Sequence, residues 1–278
     1  MSRMNVQAAV TMNQLQNKLD LVGHNVANSS TTGYKNQGAN FTSLLYRNID
    51  NFSDEEANAL NRETPHGIRQ GVGARLGHTN IDLSVGSLQT TERNLDVALL
   101  EDNHMLQVEV TENGVTEPRF TRDGTLYLQP TEAGDTVMLT TSDGHPVLGQ
   151  DGEPIEFADD MEDVTINETG EVVTIRDGAE VVEGQLSVAE AIRPQFLEPT
   201  GNNLFRLPDL TEVAYEADEI ITEIPGADNR IQNQTLEQSN VDLQKQMTDL
   251  LQAQRAYQFN ARTISMHDQM RGLVNQLR

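Results

Sequence analysis

Six histidines, His24, His66, His78, His104, His145 and His267, are the first candidates for chemistry, since imidazole can ligate a metal or carry a proton. None sits in an HExxH pattern or another close ligand spacing, so no metal site is expected. Four Asp-Gly pairs, Asp123-Gly124, Asp143-Gly144, Asp151-Gly152 and Asp177-Gly178, place carboxylates in turn-like sequence. The alternating acids of a calcium loop do not precede them, and hairpin turns that need glycine at positive φ account for them better. The run Gly71-Val72-Gly73-Ala74-Arg75-Leu76-Gly77 has its third glycine one place late for a dinucleotide loop and follows no strand pattern. No G-x-S-x-G elbow, S-x-x-K or P-loop occurs. Cysteine is absent, which removes thiolate chemistry and disulfides. The residues therefore hold no catalytic constellation, and neither enzyme activity nor a cofactor is expected.

Amides and charge say more. Residues 1–50 hold twelve Asn and Gln and residues 236–278 hold eleven, so both ends are rich in neutral hydrogen-bonding groups. The net charge of -24 is carried elsewhere: residues 1–53 sum to +2 and residues 236–278 to +1, leaving -27 in between. Such a centre repels phosphate backbones and anionic lipid, which argues against nucleic-acid binding and direct lipid binding. No run of 18 apolar residues is present, and the polar N-terminus lacks the apolar core of a signal peptide.

The elements that position these groups follow from periodicity. Ala8, Met12, Leu15, Leu19, Val22 and Val26 recur in alternating steps of four and three, the spacing of a coiled-coil seam. A helix over 4–28, about 38 Å long, is expected, ending in the turn-rich stretch Asn28–Gly33. At the other end Leu236, Leu243, Leu250, Tyr257 and Ile264 fall every seventh residue, with Met247 and Ala261 on the same face. Ser239 with Asp242 reads as a capping box that opens a closing helix of about 55 Å, reaching residue 277. Asn240, Gln254 and Asp268 interrupt that seam, and amides at such places are expected to bond between neighbouring subunits. A second amphipathic segment is expected around Phe41, Leu44, Leu45 and Ile49. Between the ends, alternation at Leu95-Val97-Leu99 and Leu106-Val108-Val110, with its Asp-Gly turns, predicts short antiparallel strands. The fold class is α+β, with long terminal helices pairing as a coiled coil around an irregular β-barrel or sandwich. The expected division is 1–52 helical, 53–80 extended arm or linker, 81–225 acidic β-domain and 226–278 helical.

Two motifs go further. Asn25-Val26-Ala27-Asn28 followed by Thr32-Gly33-Tyr34-Lys35 is similar to N-[LIV]-A-N-x-x-T-x-G-[FY]-K. Ser239-Asn240-Val241-Asp242-Leu243, Gln254-Arg255-Ala256-Tyr257 and Asn260-Ala261-Arg262 form the second. Together they resemble the flagellar basal-body rod and hook family. Leu95-Asp96-Val97-Ala98, Phe120-Thr121-Arg122-Asp123-Gly124 and the stretch 141–149 extend the resemblance through the middle. One departure is the segment Glu101-Asp102-Asn103-His104-Met105-Leu106, where the family usually carries an aromatic pair after Gly-Asp-Gly.

The resemblance implies a structural subunit, most like the distal-type rod, that polymerises helically and transmits torque between motor and hook. It implies self-association, neighbouring rod and hook proteins as partners, and passage through the flagellar export apparatus to the basal body without a cleaved signal peptide. In the N-terminal turn Gly33 is expected to supply backbone freedom, Tyr34 an anchor and Lys35 a surface charge. A hook-type subunit and a binding module on a coiled-coil stalk are the competing readings; the latter predicts an oligomer of fixed size.

Overall fold

The N-terminal stripe becomes helix α1 (Arg3–Ala27) in the computed structural model, which describes residues 3–43, 46–49, 68–71, 74–112, 114–131, 134–209 and 215–276. Ala8, Leu15 and Val22 are buried at seven-residue intervals, with Met12, Leu19 and Val26 half-buried beside them. Strands β1 (Gln37–Ser43), β2 (Tyr46–Ile49), β3 (Ile68–Gly71) and β4 (Ala74–Ile81) follow. β2 pairs antiparallel with β3, and β1 is hydrogen-bonded to β4. The amphipathic segment around Phe41 is thus extended, with Phe41 in β1 and Ile49 in β2; Leu44 and Leu45 lie outside the described residues. The stretch read as an arm carries β3 and most of β4, while 53–67 and 72–73 lie outside the described residues.

The central strands are β5 (Leu88–Thr90), β6 (Val97–Leu99), β7 (His104–Glu112), β8 (Val115–Thr121), β9 (Leu126–Pro130), β10 (Thr136–Thr141) and β11 (Glu156–Ala158). They continue as β12 (Asp163–Ile166), β13 (Glu171–Arg176), β14 (Ala179–Gln185), β15 (Val188–Ala191), β16 (Glu198–Gly201) and β17 (Leu204–Arg206). The one-turn α2 (Ala217–Ile220), β18 (Ile221–Ile224), β19 (Ile231–Asn233) and β20 (Thr235–Glu237) lead to the closing helix α3 (Leu243–Gln276).

A six-stranded antiparallel sheet in the order β16-β17-β8-β7-β15-β18 organises this region. Leu106, Val108, Val188 and Leu204 point from one face into the larger core, and Met105, Ala189 and Phe205 point from the other into a second core. Adjacent residues on a strand face opposite ways, so a sheet covered on both faces gives β7 a nearly continuous buried run from His104 to Val108. Smaller sheets, β11-β10-β9 and β12-β13-β14, close around the larger core. Asp177 and Gly178 both take positive φ, 50° and 75°, and make the two-residue turn between β13 and β14 that the sequence predicts. Asp123-Gly124 differs from that expectation. Gly124 is not a hairpin turn; its backbone lies against the Val97 carbonyl, leaving no room for a side chain.

The chain forms two compact units. One comprises Met1–Val26, Gly38–Thr79 and Leu243–Arg278; the other comprises Ala27–Gln37 and Asn80–Asp242. Within the first, Asn25 Nδ2 donates to Gln246 Oε1 at 3.4 Å and Asn5 Nδ2 to Asp268 Oδ1 at 3.5 Å, so α1 and α3 run antiparallel. The molecule is α+β, with helices at both ends and a central antiparallel β region.

Candidate functional site: the junction of the two terminal motifs

Lys35 corrects the expectation of a surface charge: it is 1% exposed, in the β-unit. An ammonium there loses its hydration and must find anionic or carbonyl partners inside the protein. Its Nζ donates to Glu237 Oε1 at 2.5 Å and to the Ser84 carbonyl at 2.7 Å. Glu237 lies 202 residues away in β20 and is itself buried. Its other oxygen, Oε2, accepts from Arg122 Nε at 2.9 Å, and Oε1 also accepts from Gly86 N at 2.7 Å. Arg122 completes its fork on three backbone carbonyls, those of Glu101, His104 and Leu99, at 2.9, 2.8 and 3.2 Å.

Two cations thus share one carboxylate in a dry site, and the surplus positive charge is balanced by carbonyl dipoles. Burial, and then the Arg122 charge, push the Lys35 ammonium down to about 8 against the pull of Glu237. At neutral pH it remains protonated and donates. Burial also pushes the neighbouring Tyr34 hydroxyl up to about 12.

The residues before Lys35 bring it there. Gly33 has φ of 65°, and a Cβ on it would meet Asp123 N at 2.5 Å and the Arg122 carbonyl carbon at 2.6 Å. Only glycine combines that left-handed backbone with such close approach. Gly33 N donates to the Glu237 carbonyl at 2.9 Å, so backbone and side chain of Glu237 both hold the N-terminal motif. The Thr32 carbonyl accepts from Asn203 Nδ2 at 2.8 Å, and Thr31 Oγ1 donates to Asn28 Oδ1 at 3.2 Å. After Lys35, Asn36 N donates to Asn240 Oδ1 at 2.8 Å, while Asn240 Nδ2 donates to the carbonyls of Asp82 and Ser84 at 2.8 and 3.1 Å.

Gly33, Lys35 and Asn240 therefore converge on one junction, with Tyr34 buried between the first two. The role expected for Asn240 changes: it spends its amide within the chain, ahead of α3, on a turn that must be crossed before the helix begins. Leu236 also leaves the helical seam, since it lies in β20 and pairs with Gln89 of β5. Ser239 Oγ accepts from Val241 N at 3.3 Å and closes a turn upstream, so Asp242 stands immediately before α3. On α3, Leu250, Tyr257, Ala261 and Ile264 are half-buried, whereas Leu243, Met247, Gln254 and Arg255 are exposed; Asn260 donates to the Ala256 carbonyl at 3.0 Å. On α1, Asn25 is buried and Ala27 is exposed at the helix end.

Glu237, Arg122, Ser84 and Gly86 were absent from the sequence-derived site. Glu237 carried one usable signal, an acid beside the second motif in a terminal segment that is otherwise nearly neutral. Nothing short of the fold could pair it with Lys35.

Residues 4–35 match the family described as flagella basal body rod protein, and residues 232–277 match the flagellar basal body rod FlgEFG protein C-terminal family. The first match ends on Lys35 and the second contains Glu237. The chain is 40% identical to the flagellar hook-basal body complex protein FlhP of Bacillus subtilis over 283 aligned positions, covering 100% of each. It is 31% identical to the flagellar basal-body rod protein FlgG of Agrobacterium fabrum over 281 positions, 96% of each, and 30% identical to that of Borreliella burgdorferi over 275 positions, 98% of this chain and 97% of the relative. With one member matched from end to end and both matched terminal segments meeting on a shared ion cluster, this chain belongs to the flagellar basal-body rod and hook protein family.

Proposed function

We propose that the chain is a structural subunit of the flagellar basal-body rod, polymerising helically through its terminal helices and passing torque between motor and hook. The observation that supports this reading best is the junction of Lys35, Glu237 and Arg122. It ties the segments that lead into both helices to the β-unit. A load entering through either helix then reaches the β-unit through two anchored backbone connections.

In this reading the assembly segments are 1–52 and 226–278, parts of which, 27–37 and 226–242, also complete the β-unit. The partners are further copies and neighbouring rod and hook proteins. The chain reaches the basal body through the flagellar export apparatus. A role as a hook-type subunit is the second reading, favoured by the hook-basal body name of the relative that is 40% identical.

Electron microscopy of the purified full chain beside residues 27–242 tests the assignment of assembly to the helices. Open-ended tubes or protofilaments from the full chain alone are expected. Equal assembly by 27–242 would overturn it, and a particle of fixed size from the full chain would favour the stalked binding module.

A further inference from the structure

Helix α3 carries a second apolar row that the first seam does not use. Its inward row is Gln246, Ala253, Asn260 and His267, spaced by seven and buried or half-buried. Phe259, Met266 and Leu273 form another row with the same spacing, and Met270 sits between the last two at steps of four and three. All four are open to solvent, at 71%, 59%, 61% and 55% exposure. Phe259 and Met266 each precede an inward residue by one position, which places the second row about 100° around the helix from the first. A narrow apolar row with heptad spacing on a solvated helix is the surface that a further helix would bury.

The same unit also offers a place to receive it. Between α1 and α3 lies a groove of about 400 Å³ lined by Ala9, Met12, Asn13, Gln16, Tyr257 and Ile264. Ala9 and Gln16 are seven residues apart on α1, as are Tyr257 and Ile264 on α3, so the groove repeats at the interval of the exposed row. Neither surface bears a carboxylate. The helices are the cationic part of an acidic chain: Arg3 and Lys18 stand against Asp20 on α1, and Lys245, Arg255, Arg262 and Arg271 against Asp249 and Asp268 on α3. Two molecules that each carry -24 meet with least repulsion through such faces.

We infer that the row Phe259, Met266, Met270 and Leu273 of one copy seats in the α1–α3 groove of a second copy of this chain. Row and groove are different patches on one molecule, so the contact is head-to-tail and leaves a free row and a free groove after every addition. This rests on the self-associating reading above and names its surfaces.

The absence of cysteine makes the test clean. Full-length N13C and M266C, each a single thiol at an exposed position, are mixed under assembly conditions and treated with a short bismaleimide, beside sedimentation of the unmodified chain. A cross-linked dimer containing one copy of each variant is expected, and a ladder from the double variant. Met266→Lys with Met270→Lys, at sites that support no core, is expected to keep the helical circular dichroism and raise the assembly threshold roughly tenfold or more. Assembly without the 13–266 cross-link, or with unchanged threshold in the lysine variant, overturns these surfaces and leaves the rod reading standing. A full chain that stays monomeric and uncross-linked at high concentration overturns both.

Discussion

A carboxylate holding two cations away from water is far more sensitive to its own loss than to the loss of one cation. Replacing Glu237 by Gln leaves Lys35 and Arg122 charged, buried and facing each other, which costs about 3–5 kcal/mol. Replacing Lys35 by Met removes the surplus charge and keeps the Arg122–Glu237 pair, so it is expected to cost about 1.5 kcal/mol or less. Urea denaturation at pH 7 measures both, and a Lys35→Met variant as unstable as Glu237→Gln would refute the view that Glu237 is the shared anchor. The pH dependence carries a separate signature. Lys35 falls from 10.5 to about 8 on folding, so between these values the unfolded chain binds a proton that the native chain has released. Stability then rises with pH across that window, by about 3 kcal/mol for a shift of this size. Tyr34 acts oppositely, because its native hydroxyl titrates near 12 and the unfolded one near 10.0, and stability is lost as pH climbs between them. The wild-type stability minus that of Lys35→Met is expected to climb from pH 8 to 10; a flat difference would place Lys35 outside any dry site.

At the scale of elements, the approach to α3 is held by Asn240, which accepts from Asn36 N and donates to the carbonyls of Asp82 and Ser84. Asn240→Ala removes those three hydrogen bonds, of whose acceptors the Ser84 carbonyl keeps Lys35, and is expected to lower stability by about 2–3 kcal/mol, against about 1 kcal/mol or less for Ser239→Ala. Thermal denaturation of the two variants decides it, and the reverse order would restore Ser239 as the dominant cap. These neighbours also show what was legible. The motif pointed to both, yet local pattern assigned the cap to Ser239 because S-x-x-D is a short-range signal, whereas the hydrogen bonds of Asn240 span more than 150 residues. Helices α1 and α3 were readable from heptads, and the alternating strands of the β-unit from period-2 runs and Asp-Gly turns. Leu236 misled because a seven-residue interval persists by chance into a strand. Lys35 misled because a lysine after a turn is normally solvated, and its partner is invisible until β20 docks on β5.

For the whole molecule, the division of charge sets how copies can meet. In the proposed assembly the acidic centre would hold subunits apart, and the near-neutral, amide-rich ends are where contact would cost least. If assembly runs through helices that carry little charge, added salt screens the repulsion between centres without weakening the contact itself. The Debye length shortens from about 30 Å at 0.01 M to about 8 Å at 0.15 M, so repulsion across a subunit width is largely lost over that range. The assembly threshold is therefore expected to fall steadily as sodium chloride rises from about 0.01 to 0.15 M. Titration toward the pI of about 4.4 should act in the same direction by protonating carboxylates of the centre. Light scattering against salt at fixed protein concentration reads the outcome directly. Assembly that dissolves with salt would mean that ion pairs between the acidic unit and a basic surface hold copies together, and the neutral helical faces would no longer be the contact.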